Sequence, residues 1–458
     1  MNIRLWEEIK RKMLYFHDRK IREKSAEISY GELVDFAEGF ASGLNKPCYG
    51  IMCGSEMAAG MALLACFAAG VTAVPLSLRY GEKHCRKIID TVKMPAVITD
   101  NGGKLHTVDI DSGEYTEPKQ RPALIMCTSG TTGTPKGVML SEKNILSNLH
   151  DIEKYFKITC DDTILIERPL YHCAVLTGEF LVSLSKGLNI VFSSEAFDPL
   201  ALLRLIRENT VTVMCGTPTL FSALSHFIRG EAGSSMPLRV IAVSGEAMNS
   251  TAARKLSQAF PKTRIYHVYG QTEASPRISY LPPDLFSRYP LSVGIPLDSV
   301  NIKILDEDGN EAVRNEVGEV TVSGENVMLG YFNDPEKSSS VIKNGILYTG
   351  DYGYIDQNGL LYIKGRMDDL IIRAGMNIYP AEIESALEED ERVRDALVYG
   401  VSDGVTQKLA LNISGDFTSV EEVKKLCREK LEAYQLPSFT RIVDEIPKNA
   451  SGKKIRKA

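Results

Sequence analysis

The sequence predicts an α/β fold: a large N-terminal region of parallel sheets with crossover helices, a small β-barrel-like subdomain, and a small α+β C-terminal domain. Three observations predict it. Short apolar runs alternate with amphipathic segments through roughly the first 360 residues, the texture turns β-rich from about Val293, and the last 90 or so residues form a separate block. In order, CYGIMCG at 48–54 predicts a strand, MAAGMALLACFAAG at 57–70 a crossover helix, and VTAVPL at 71–76 the next strand. LNIVFS at 188–193, ALLRLIREN at 201–209 and VTVMCG at 211–216 repeat the strand–helix–strand cycle. VNIKILDEDGNEA at 300–312 and GEVTVSG at 318–324 carry the turn chemistry of antiparallel hairpins. The final block, from near Gly365, predicts helices over 380–389 and 420–432, a strand over 396–401, and a basic tail.

At 458 residues the chain exceeds what one core usually supports, so two or three domains are expected. A net charge of −6 argues against a general nucleic-acid binder, although an anion pocket inside an acidic protein can be locally basic. Nine cysteines without a C-x-x-C pair fit buried, reduced thiols better than a disulfide framework or a zinc site. The N-terminus is charged and interrupted, unlike a signal peptide, and no apolar run of about 18 residues suggests a membrane span. The expected location is the cytoplasm.

One segment points to chemistry. TSGTTGTPKG at 128–137 follows the strand-like run 123–127 and is built from Gly, Ser, Thr, Pro and Lys. Glycines bring backbone N–H groups toward an anion, the hydroxyls of Thr128, Ser129, Thr131 and Thr132 add donors, and Lys136 adds a mobile positive charge. The loop is expected to hold a polyphosphate. It is not the strand–loop–helix NTPase motif, because Gly130 is followed by Gly133 and Lys136 by glycine rather than Ser or Thr.

This loop resembles the signature of the adenylate-forming superfamily, which includes acyl-CoA synthetases, carrier-protein-loading adenylation domains and luciferases. ISYGEL at 28–33, AAGVTAVPL at 68–76, VYGQTEAS at 268–275, LYTGD at 347–351, GRMDDLIIRAGMNIYPAEIE at 365–384 and PKNASGKKIRK at 447–457 resemble further family motifs, in the family's order. The resemblance implies an N-terminal adenylation domain over 1–367 and a mobile C-terminal domain over 368–458. Asp368 would be the hinge, with Asp369 a competing candidate.

The implied reaction joins a carboxylic acid to the α-phosphate of ATP, releases pyrophosphate, and passes the acyl group to a thiol after the small domain rotates. An anion must approach a polyanion, so positive charge and fixed donors are required around the phosphorus. By resemblance, Lys453 bridges carboxylate and α-phosphate, Thr272 donates to the α-phosphate, and Glu273 binds Mg²⁺. Tyr269 offers a flat surface to adenine, Asp351 accepts the ribose hydroxyls, and Arg366 accompanies it. Taken without the family, YGQTE reads as a surface turn, Asp351 as a turn former, and Lys453 as one solvated lysine among Lys448, Lys454, Arg456 and Lys457.

RPLYHCAVLTGEF at 168–180 stands where the family places the acid pocket, and His172 is its candidate lining residue. A histidine in apolar-aromatic surroundings is otherwise more often a packing residue. Gly245, Glu246 and Val268 are further candidates, Gly245 and Glu246 also for the nucleotide, although VSGEAM at 243–248 departs from the usual glycine-pair segment. YHCAV lacks the Asp that holds an amino-acid ammonium, which favours a fatty, other aliphatic or aryl acid. The acceptor thiol is expected to be CoA, with carrier-protein phosphopantetheine as the alternative.

Overall fold

The computed structural model describes residues 4–129, 135–193, 197–228, 236–373, 376–402, 407–448 and 454–456. Two large sheets dominate. In a nine-stranded sheet, Arg264–Gly270, Val240–Val243, Val213–Gly216, Thr163–Ile166, Asn189–Phe192 and Lys20–Glu23 run parallel in that spatial order, and antiparallel strands close both edges. In a seven-stranded sheet, Leu124–Ser129, Thr72–Pro75, Cys48–Ile51 and Ala96–Asn101 are parallel neighbours. The parallel strands Cys48–Ile51, Thr72–Pro75, Val213–Gly216 and Val240–Val243 are buried at every position, which is why they read as continuous apolar runs rather than alternating ones. The helix Glu56–Ala69, apolar on most sides and capped by Ser55, sits in the core that joins the two sheets.

The chain does not enter a helix after the Gly-rich loop. Leu124–Ser129 pairs antiparallel with Pro135–Leu140, so 130–134 connects two adjacent strands, with Thr128 opposite Lys136. The failure of the NTPase spacing therefore has a structural counterpart, a hairpin in place of strand–loop–helix. Beyond Val293 a five-stranded antiparallel sheet, with Val300–Leu305, Gly318–Gly324, Ile346–Ile355 and Leu361–Arg366 among its strands, curls as a half-barrel.

The C-terminal block contains the hairpin Ile371–Arg373 and Met376–Ile378, the helices Pro380–Leu387 and Val420–Lys430, and a sheet of Val393–Ser402, Gln407–Gly415 and Phe439–Ile442. Ile371, Ile383, Leu387, Val398, Leu411, Val423 and Leu426 bury one another in a hydrophobic cluster drawn from this block alone. Both helices stop two residues before the expected ends. Glu388 closes the first, and Leu431 leaves the second in an extended conformation.

Candidate active site

The strand pair that carries the Gly-rich loop presents Thr128 and Lys136 at directly opposed positions, hence on one face. The Lys136 ammonium lies 5.7 Å from the centre of the Tyr331 ring, and the Tyr331 hydroxyl donates to Glu273 Oε1 at 2.9 Å. Gly330–Tyr331 is itself an added strand on Pro135–Leu140, and the Met328 N–H donates to the Glu273 carbonyl. Tyr331 thus ties the loop to the turn Thr272–Ala274. No spacing in the sequence marked this tyrosine. The signal is only its pairing partner, which is visible once the sheet forms.

Asp351 sits on Ile346–Ile355 directly opposite Arg366 on Leu361–Arg366. Arg366 Nη1 donates to Asp351 Oδ1 and to the Thr349 carbonyl, each at 3.0 Å. The Tyr269 hydroxyl donates to the other carboxylate oxygen at 2.5 Å. Burial, with Asp351 beside it, pushes the Tyr269 hydroxyl far above its ordinary range, so it stays a donor. Each carboxylate oxygen still has acceptor capacity for a hydroxyl. Gly350 makes the approach possible, since its φ of +70° favours glycine and a Cβ there would meet Arg366 Nη2 at 3.2 Å. Lys136, Tyr331 and Glu273 thus form one contact chain and Tyr269, Asp351 and Arg366 another, with Tyr269 and Glu273 on the same short motif.

Gly245, Glu246, His172 and Val268 are the remaining sequence candidates. Gly245, with φ +91°, follows Val240–Val243, and Glu246 accepts from the Thr219 N–H and hydroxyl at 3.2 and 2.6 Å. That carboxylate is engaged at the start of helix Pro218–Phe227. Tyr80 shares a 2.5 Å hydrogen bond with His172 Nε2. Burial and the nearby Arg168 push the His172 pKa down to about 3, so the imidazole is neutral. Val268 is 2% exposed and packs in the main core.

Asp368 lies exposed on the turn Met367–Asp369, whereas Asp369 is ion-paired to Arg456 at 3.2 Å. Gly130, Thr131, Thr132 and Lys453 fall outside the described residues, and Ser129 is described only as the last residue of its strand. The other tail cations among the described residues are committed elsewhere. Lys448 pairs with Asp395 at 2.8 Å, Lys454 with Glu388 and Asp395 at 2.7 Å each, and Arg456 with Glu384 and Asp369. By charge alone these three, and Lys457 outside the described residues, could substitute electrostatically for Lys453. Their partners remove Lys448, Lys454 and Arg456 from that role.

Among the described residues no trio of His, Cys, Asp or Glu could enclose a metal ion. Mg²⁺ keeps several waters and shares nucleotide oxygens, so one carboxylate suffices, and Glu273 retains an oxygen beyond its bond to Tyr331.

Two family profiles match the chain. That of the AMP-binding enzyme covers residues 10–332, and that of the AMP-binding enzyme C-terminal domain covers 382–453. A feruloyl-CoA synthase of Amycolatopsis sp. is 28% identical over 476 residues, covering 97% of this chain and 96% of its own. A long-chain-fatty-acid–CoA ligase of Bacillus subtilis is 33% identical over 353 residues, covering 74% of this chain and 62% of its own. The o-succinylbenzoate CoA synthetase of Bacillus subtilis, solved with its acyl-adenylate intermediate, superposes with a TM-score of 0.86 at 28% identity, over 99% of this chain and 97% of that one. The same synthetase has been solved with ATP and magnesium, also at 0.86 and 28%, over 98% of each chain. The chain belongs to the AMP-binding enzyme family. It is an AMP-forming acid–thiol ligase of the acyl-CoA synthetase type.

Proposed function

We propose that this enzyme activates a carboxylic acid with ATP and Mg²⁺ to an acyl-AMP, releases pyrophosphate, and then forms the CoA thioester. The observation that carries the reading is a pair of contact chains, Lys136–Tyr331–Glu273 beside the Gly-rich strand pair and Tyr269–Asp351–Arg366, which meet in sequence at the motif carrying both Tyr269 and Glu273. Thr128 and Lys136 bind the phosphates, Thr272 donates to the α-phosphate, Asp351 accepts the ribose hydroxyls, and Arg366 holds that carboxylate in place. Glu273 would hold Mg²⁺, which neutralises phosphate charge when bound. Lys453 supplies the positive charge that brings the carboxylate onto the phosphorus.

The second step needs a different thiol-side geometry. In this reading 1–367 is the adenylation domain, 368–458 rotates about the exposed Asp368, and the packed cluster of the C-terminal block lets it turn as a body. Adenylation makes AMP the leaving group, and the CoA thiol attacks the mixed anhydride. The acid is aliphatic or aryl. No helix among the described residues is long and apolar enough to cross a membrane, and the nine free thiols, eight of them buried, support a cytoplasmic location.

The test is AMP and pyrophosphate release with a panel of short, medium, long and aryl acids, run with CoA and separately with a pantetheinylated carrier protein. Turnover with CoA is expected. Product formed only with the carrier would make this a loading enzyme, and no AMP from any acid would refute the ligase reading.

A further inference from the structure

Three adjacent parallel strands, Thr163–Ile166, Val213–Gly216 and Val240–Val243, end side by side, and ligands in such sheets bind in the crevice beyond those carboxyl ends. Immediately past the ends stand Arg168, Thr217, Ser244 and Gly245. The Arg168 guanidinium is largely buried, and its Nη1 would lie 3.9 Å from a Cβ at Gly245. Gly245 itself is exposed, so the crevice is open at that point. His172, four residues on, is held by Tyr80 and lies near enough to Arg168 to feel its charge.

Behind Arg168 the crevice floor is charged rather than apolar. Arg168 Nη2 donates to Glu179 Oε1 at 2.8 Å, and Glu179 is completely buried. Arg277, 2% exposed, packs its guanidinium against Gly178. Arg168 Nε, Glu179 Oε2, Arg277 Nε and Ser244 Oγ are all buried without a hydrogen-bond partner, a cluster that costs stability unless something completes it. Among the described residues Arg168 makes one side-chain hydrogen bond, that to Glu179, which leaves its crevice-facing Nη1 without an acceptor. Glu167, next in sequence, is half-buried, and burial pushes its carboxyl and that of Glu179 up.

A guanidinium edge with spare donors, facing an open crevice, is a receptor for a planar anion. We infer that the acid activated here carries a second carboxylate, distal to the reacting one, which Arg168 receives at the crevice floor. This rests on the proposed ligase reading and names its substrate class, a dicarboxylic acid. Glu179 holds the guanidinium in orientation and is a positioning residue. A plain alkyl tail would cover the Arg168 Nη1 edge without giving it an acceptor, so the same feature disfavours ordinary fatty acids.

The experiment compares AMP release with acids matched in length, adipate against hexanoate, suberate against octanoate, and terephthalate against benzoate, each with its monoamide as a neutral polar control. For wild type, kcat/KM is expected to favour the dicarboxylate by on the order of tenfold or more in at least one pair. Arg168→Met should remove that preference and Arg168→Lys should keep part of it. Because Arg168→Met strands a buried carboxylate, the double variant Arg168→Met/Glu179→Leu removes both members and serves if the single one misfolds. Calorimetric binding of the preferred dicarboxylate to each variant gives a readout independent of turnover. Preference for the monocarboxylate or monoamide, or a ranking unchanged in the variants, would overturn the inference and leave the ligase standing. AMP from none of the acids, in this set or the wider panel, would bring down the ligase reading itself.

Discussion

Arg456 Nε lies 3.2 Å from Asp369 Oδ2, which joins the residue three places after the proposed catalytic lysine to the residue one place after the proposed hinge. Arg456 also grips Glu384 on helix Pro380–Leu387, and Lys454 reaches Glu388 and Asp395. Both ends of these contacts lie within 368–458, so they persist through a rotation about Asp368. The tail is fastened to the part of the chain that is proposed to turn.

Loss of this fastening should act on one step. Arg456→Leu is expected to slow pyrophosphate exchange by about tenfold more than it slows thioester formation from supplied acyl-AMP, with partial rescue by Arg456→Lys. Measuring the two half-reactions separately checks this. Equal loss in both would mean that Arg456 only supports folding.

Lys453→Ala should reduce adenylate formation on the order of 10²-fold or more while leaving thioester formation from supplied acyl-AMP largely intact. With Lys448, Lys454 and Arg456 all ion-paired, none of them is expected to compensate. Pre-steady-state acyl-AMP formation is the readout, and retained adenylation would assign the role elsewhere.

Asp351 holds Tyr269 and Arg366 together. Tyr269→Phe is expected to cost about 1 kcal/mol of stability through the lost hydrogen bond and to raise the KM for ATP several-fold. Asp351→Asn should raise it further without changing the order of preferred acids. An unchanged KM for ATP in Asp351→Asn would take the ribose away from this carboxylate.

Two histidines, His267 buried and His172 half-buried, give the enzyme a defined acid response. His172 is held down to about 3 and His267, 3% exposed, to about 4, both chiefly by burial. As pH falls below the unfolded-state value near 6.5, the unfolded chain takes up these protons first, so stability present above that pH is lost on acidification. Each group contributes a slope of up to about 1.4 kcal/mol per pH unit, the His267 contribution ending near pH 4. Urea midpoints between pH 7 and 4.5 should fall less steeply in His267→Gln than in wild type, and parallel slopes would refute this assignment.

Much of the frame was legible because it depends on local rules. Continuous apolar runs such as VTVMCG become buried parallel strands, and the Gly/Ser/Thr spacing excluded a strand–loop–helix phosphate site before the hairpin was seen. The motif residues Glu273, Asp351 and Arg366 were identifiable by type and order, and Asp351 and Arg366 prove to be cross-strand partners. Glu246 has an engagement of its own. Its carboxylate serves Thr219 at a helix start, a local demand the motif did not reveal.

The sequence by itself determined the α/β alternation, the family and the residue types of the proposed nucleotide site, because strand burial and phosphate binding each require particular residues close together in the chain. Only the tertiary structure decided which residues stand opposite one another: Tyr331 between Lys136 and Glu273, Lys454 and Arg456 withdrawn into ion pairs, and Arg168 facing Gly245 over a buried Glu179. Those relationships arise where separate strands end side by side, and contacts between residues tens to hundreds of positions apart leave no periodic signal in the chain.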